Sequence, residues 1–173
     1  MSELKSKQAF LSQFSSMKKQ GVLQKSHLEN LERFFQEYAK ETQSVLKEEV
    51  LYDLFHTFLC LVEKEILSPH NFPLYHERMK TPFNYTAFGK NFILPLIDLY
   101  RSPLFGKNLL LSIEEQLKNQ ENVIFFANHQ TEADPQIISI LFEKEGSFLG
   151  DKIIYVAGER VVKDPKAIPF SLG

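Results

Sequence analysis

The chain has 173 residues, enough for one medium domain or two small ones, with a core that should bury roughly two-thirds of the surface exposed by the unfolded chain. A hydrophobic share of 43% and a charged share of 24% are those of a globular protein, and a net charge of −2 excludes any general attraction to nucleic acid or to an anionic membrane. The single cysteine, Cys60, excludes an intrachain disulfide and fits a reducing, cytoplasmic setting. No apolar stretch reaches the ~18–20 residues needed to span a bilayer. The start, Met1-Ser-Glu-Leu-Lys-Ser-Lys, lacks an apolar core and carries an early acid, so it reads as neither a signal nor a transit peptide. Sixteen phenylalanines without a tryptophan imply a phenylalanine-rich core.

Residues 3–20 predict an amphipathic helix with Leu4, Phe10, Leu11, Phe14 and Met17 on one side and Gly21 as its stop. Ser26 followed by Glu29 reads as a capping box for a second helix, whose stripe is Leu28, Leu31, Phe35 and Tyr38. A third helix is expected over 47–66, with Val50, Leu51, Leu54, Phe55, Phe58, Leu59 and Val62 facing inward. Three such stripes on short connections predict a small antiparallel bundle over residues 1–68. Cys60, among Phe58, Leu59, Leu61 and Val62, reads as a small buried hydrophobe rather than a reactive thiol. His56 reads as a packed or surface residue of the same helix. Pro69 and Pro73 then break the pattern, and His70 and His76 beside them lack the further ligands a metal site needs.

Residues 69–173 predict a different architecture. The stretch 85–99 has helical period with Pro95 inside it, so an interrupted helix is expected. A clearer helix follows over 109–120, where Leu110, Ile113 and Leu117 alternate with Glu114, Glu115, Lys118 and Asn119. The run Val123-Ile-Phe-Phe-Ala has the length and content of a buried strand, as does Lys152-Ile-Ile-Tyr-Val-Ala. A helix opening at Asp134-Pro135 lies between them, so the spacing predicts one strand–helix–strand unit with parallel strands. The fold class expected is therefore α/β: an N-terminal helical bundle, then an incomplete α/β domain.

Between the first strand and its helix lies Asn128-His-Gln-Thr-Glu-Ala-Asp134-Pro135. Asp is a good helix N-cap, and proline next to it is already set for the first turn. His129 and Asp134 are thus placed where ligands tend to sit in open α/β sheets. A histidine oriented by a carboxylate can take a proton from a hydroxyl near neutral pH. No Gly-x-Ser-x-Gly elbow is present, so the pair suggests attack by an activated substrate alcohol, without a covalent acyl-enzyme. The same spacing also fits a structural role, with Asp134 only a cap, His129 only a loop residue and Glu132 a solvated charge.

The residues Asn-His-Gln-Thr-Glu-Ala-Asp-Pro at 128–135 resemble the signature of the plastid-type glycerol-3-phosphate 1-acyltransferases and their bacterial relatives, with Thr131 where that family usually has serine. Asn84-Tyr85 through Asp98, and Val156-Ala-Gly-Glu-Arg160-Val-Val-Lys-Asp164-Pro165 with Pro169-Phe-Ser-Leu-Gly173, are similar to the family in the same order. The resemblance implies a small helical domain attached to a larger α/β domain. It implies that His129 deprotonates the sn-1 hydroxyl of glycerol 3-phosphate, that Asp134 orients His129, and that the acyl donor is a thioester of acyl-carrier protein or coenzyme A. It calls for neither metal nor redox cofactor.

The chain stops at Gly173, well short of that family's length, and the basic residues that hold the substrate phosphate would fall beyond it. Residues 121–173 contain five Lys/Arg (Lys144, Lys152, Arg160, Lys163, Lys166) and eight Asp/Glu, a balance of 5 − 8 = −3. A phosphate site concentrates cations or a helix N-terminus. Arg160 is the best cation for it here, with a surface or structural ion pair as its other reading. As it stands the chain is expected to be a truncated acyltransferase with little or no turnover. Two rival readings stand beside it: a non-catalytic binding module, and a lysophospholipid acyltransferase, a class that shares Asn-His-x4-Asp.

Overall fold

Apolar residues three and four places apart bring three helices together: α1 (Ser2–Lys19), α2 (Lys25–Thr42) and α3 (Glu48–Leu67). The computed structural model describes residues 2–19, 21 and 25–173, with side chains from Lys5 onward in α1. The Leu4 of the expected stripe therefore lies outside the described side chains. Gly21, the expected stop of α1, has φ of +63°, a conformation open to glycine. Ser26 lies inside the first turn of α2 and does not precede it as a cap would.

The helices α1 and α3 run in the same direction. Lys7 meets Glu48 at 3.6 Å, and further along Gln13 Nε2 donates to Glu63 at 2.7 Å. The return helix, α2, reads backward against α3, with Phe34 on Phe58 and Tyr38 on Phe55. Rings fill the space between: Phe10 stacks on Phe35 at 4.5 Å, and Phe35 meets Phe55 edge-on at 4.9 Å. Met17, Phe55, Phe58, Leu59 and Val62 are buried at the centre. Leu11 and Val50, expected inside, are half-exposed, because they flank the apolar stripe rather than lie on it.

Asn84 caps α4 (Tyr85–Ile93), accepting from the Ala87 amide at 2.9 Å, and Pro95 falls in a 3₁₀ turn, Leu94–Leu96. The Tyr38 hydroxyl donates to the Phe92 carbonyl at 2.7 Å, and burial pushes its pKa up. Two short helices near the end of the chain, α7 (Arg160–Lys163) and α8 (Ile168–Ser171), return to this unit. Ile168 and Leu172 are buried in its core, and the Phe170 ring meets Phe58, Phe88 and Phe92. The Met79 amide donates to the Leu172 carbonyl at 2.8 Å. One compact unit therefore consists of the chain up to Pro95 together with Ala157–Gly173.

The second unit spans Leu96–Val156. It contains α5 (Asn108–Lys118), α6 (Asp134–Lys144) and a 3₁₀ turn, Leu149–Asp151. Its core is small: Leu110, Phe142 and Leu149 are buried, with Ile113, Ile138 and Ile153 packed on them. Polar contacts supplement that core. Lys144 Nζ donates to the carbonyls of Leu99 and Ser102 at 2.5 and 3.2 Å, and Ser147 Oγ donates to Glu114 at 2.8 Å.

The expected α/β class is overturned here: among the described residues no strand forms, and neither 123–127 nor 152–157 joins a ladder. Ile124 is 75% and Phe126 is 94% exposed, where a buried strand would have covered both. A β-branched and aromatic run signals side chains that suit a half-buried pleated surface. It does not supply the neighbouring backbone that a strand's N–H and C=O groups need, and two segments alone make at best a marginal sheet. The regular structure among the described residues is all helical, with irregular segments where parallel strands were expected.

Candidate active site

Asp134 is the first residue of α6, with Pro135 next and Ala133 at the capping position. This corrects the expectation that Asp134 caps the helix: no side chain caps α6, and the carboxylate turns back over the preceding loop. Its Oδ2 accepts from His129 Nδ1 at 2.8 Å, from the Gln130 amide at 2.8 Å and from the Thr131 amide at 3.3 Å. The loop closes further through the Asp134 amide donating to the Thr131 carbonyl at 3.0 Å. Six residues of chain are folded onto one oxygen atom, which fixes where the imidazole of His129 lies.

Burial works to raise the Asp134 pKa, but the Gln130 and Thr131 amides and the His129 ring outweigh it and hold the carboxyl below its ordinary 3.8. The first turn of α6 adds a positive dipole end. Asp134 is therefore ionised at neutral pH and has no proton to give. In the neutral imidazole, Nδ1 of His129 then carries the shared proton and Nε2 the lone pair. The side chain of His129 is 68% exposed against 23% for Asp134, so the basic nitrogen is within reach of a solute and its partner is sheltered.

Arg160 belongs to the other unit, at the head of α7, where it is exposed and makes no ion pair among the described residues. Its neighbours are paired: Lys163 with Glu159, and Lys166 with Asp164 at 3.7 Å. Glu132 is exposed on the loop. Cys60 is half-buried rather than buried, with Sγ 3.6 Å from His56 Nε2 one turn away. His70 donates its backbone N–H to the buried Glu65 at 2.8 Å. A cleft of about 480 Å³ in the helical unit is lined by residues that include Glu65, Phe72, Lys163 and Ile168; neither His129 nor Asp134 is among them. Among the described residues no three of His, Cys, Asp and Glu converge as a metal site requires, and no helix is long and apolar enough to cross a membrane.

Sequence reasoning missed the two loop amides that complete the Asp134 arrangement, since backbone donors leave no mark in residue identity. It also missed Tyr155, whose hydroxyl donates to the Pro135 carbonyl at 3.1 Å.

An acyltransferase family model matches residues 108–171, the stretch that contains this site. A chloroplastic glycerol-3-phosphate acyltransferase of Cucurbita moschata is 35% identical over 177 residues, covering 99% of this chain and 39% of that protein. The chloroplastic enzyme of the same name from Carthamus tinctorius is 33% identical over 174 residues, 99% of this chain and 38% of its own length. That of Spinacia oleracea is 37% identical over 126 residues, 73% of this chain and 27% of its own length. Over nearly its whole length the chain is similar to plastid glycerol-3-phosphate acyltransferases, and it spans 38–39% of the length of the Cucurbita moschata and Carthamus tinctorius relatives.

Proposed function

We propose that this chain carries the proton-transfer part of a glycerol-3-phosphate 1-acyltransferase site. The observation that supports the reading best is the His129 Nδ1 to Asp134 Oδ2 contact of 2.8 Å, made by a histidine whose side chain is 68% exposed. Nε2 of His129 takes the proton of the sn-1 hydroxyl of glycerol 3-phosphate. The oxygen attacks the carbonyl carbon of an acyl thioester, on acyl-carrier protein or coenzyme A. The tetrahedral intermediate collapses with loss of the thiolate, which recovers the proton from the His129 imidazolium. One C–O bond forms, one C–S bond breaks, and the products are 1-acyl-glycerol 3-phosphate and a free thiol. Asp134 keeps the ring in one tautomer and offsets its transient positive charge. The balance needs no metal and no electron carrier. Arg160, exposed and in no ion pair among the described residues, is the cation we propose for the substrate phosphate on its chemistry.

The test is a hybrid in which this chain replaces the matching stretch of the Cucurbita moschata enzyme. Thiol release from an acyl thioester is followed with and without glycerol 3-phosphate. The hybrid is expected to be active, and His129→Ala to lower kcat by about 10²–10⁴, the range of a lost general base. An active hybrid that the substitution leaves unchanged would remove His129 from the reaction.

A further inference from the structure

The reading of His129 as a base raises the question of what holds its orienting acid, since α6 begins without a side-chain cap. The segment after α6 supplies an answer. Along residues 152–156 exposure alternates: Lys152, Ile154 and Val156 face solvent, whereas Ile153 and Tyr155 are half-buried. Ile153 packs into the small core that includes Ile138 and Phe142 of α6. Tyr155, two residues on and turned the same way, donates its hydroxyl to the carbonyl of Pro135 at 3.1 Å. Pro135 directly follows Asp134, so the contact falls on the turn that carries the carboxylate.

A second contact fixes where this segment lies. Ser139 Oγ donates to the Gly150 carbonyl at 3.3 Å, and a Cβ built on Gly150 would come within 2.7 Å of the Ser139 Cα. The segment is thus seated against one turn of α6 at Gly150–Ser139 and against the turn before it at Tyr155–Pro135. Without the tyrosine hydroxyl, the N-terminal turn loses a hydrogen bond from outside the helix, and helix ends fray readily.

We propose that Tyr155 is a positioning residue for the His129–Asp134 pair, its hydroxyl holding the Pro135 turn so that the Asp134 carboxylate stays aimed at the imidazole. The inference rests on the reading of His129 as a base for its meaning in catalysis, but not for its geometry. Tyr155→Phe removes a single oxygen and leaves the ring in place. In the 173-residue chain, amide exchange of Gln130 and Thr131, both of which donate to Asp134, is expected to quicken about fivefold, the equivalent of one ordinary hydrogen bond. Exchange in the middle of α5 should stay as it was. The Asp134 carboxyl, followed by carbon NMR, should titrate closer to 3.8 than in the unsubstituted chain.

Unchanged exchange at both amides, or acceleration spread evenly over α5 and α6, would overturn the proposal. If the substituted chain does not fold, the same change in the hybrid enzyme decides. There Tyr155→Phe should lower kcat about tenfold with the KM for glycerol 3-phosphate within twofold, and a change in KM alone would overturn the proposal. A hybrid indifferent to His129→Ala would sink the base assignment, and the amide and carboxyl measurements would still judge Tyr155.

Discussion

Replacing Asp134 by Asn is the sharpest probe of the site, because it removes a charge and almost nothing else. The side-chain oxygen of Asn can still accept from the Gln130 and Thr131 amides, now 2.8 and 3.3 Å from Oδ2, so the loop should keep its shape. What disappears is the negative charge 2.8 Å from Nδ1. Two unit charges at that separation attract by ~1.5 kcal/mol in a water-like medium and by ~6 kcal/mol at an effective dielectric constant near 20. The histidine is mostly exposed and the aspartate mostly sheltered, so a value of about 3–4 kcal/mol is reasonable for the imidazolium formed during proton transfer. That corresponds to a fall in kcat of roughly 10²–10³. The assay is thiol release by the hybrid enzyme at saturating thioester, for the parent, Asp134→Asn, His129→Ala and the double variant. If Asp134 acts through His129, the double variant should be no slower than His129→Ala within about twofold, since groups that act as one unit are not additive. A tenfold or greater further loss in the double variant would refute the reasoning and recast Asp134 as a strut of the loop.

Two other outcomes follow from the same coordinates. The folded-state pKa of Asp134 lies below the unfolded value of 3.8, so the carboxylate contributes stability that is complete above that value and is lost as pH falls through the lower folded value. Urea unfolding followed at α6 amide signals should therefore show a gap between the parent and Asp134→Asn at pH 6 that closes at strongly acid pH; a gap independent of pH would contradict the assignment. In the helical unit Phe55 is 1% exposed and meets the rings of Phe34, Phe35, Tyr38 and Phe92 within 5.5 Å. Phe55→Ala should destabilise that unit by ~3–5 kcal/mol and lower its thermal midpoint by about 10 °C, and a shift under 2 °C would mean that the rings do not pack as described.

What the sequence disclosed and what it hid separate along a physical line. Helices stabilised by their own backbone bonds and by a repeating apolar stripe were legible: Phe10, Met17, Phe55, Phe58 and Val62 all face inward as their spacing requires. Residues at the edge of a stripe were not, and Leu11 and Val50 were misassigned for that reason. The runs at 123–127 and 152–157 were misread because a strand depends on a neighbour that no local pattern can guarantee. At the site, the His-x4-Asp spacing pointed to the two side chains that the fold brings within 2.8 Å. Its geometry was half hidden: Asp134-Pro135 looked like a cap, but the carboxylate faces the loop, because two free amides and a ring nitrogen on that side offer more hydrogen bonds than the helix end.

The discontinuity of the helical unit bears on the order in which it can be built. During synthesis, residues 1–95 emerge with Phe58, Phe88 and Phe92 lacking the Phe170 ring that covers them in the finished molecule. Closing that gap brings together residues as far apart as Met79 and Leu172, across a whole intervening unit. Closing so long a loop carries an entropic penalty, and the uncovered aromatic surface is what chaperones hold. A nascent chain paused anywhere between the two parts would therefore be a sticky intermediate, with its earliest helices made but not yet sealed.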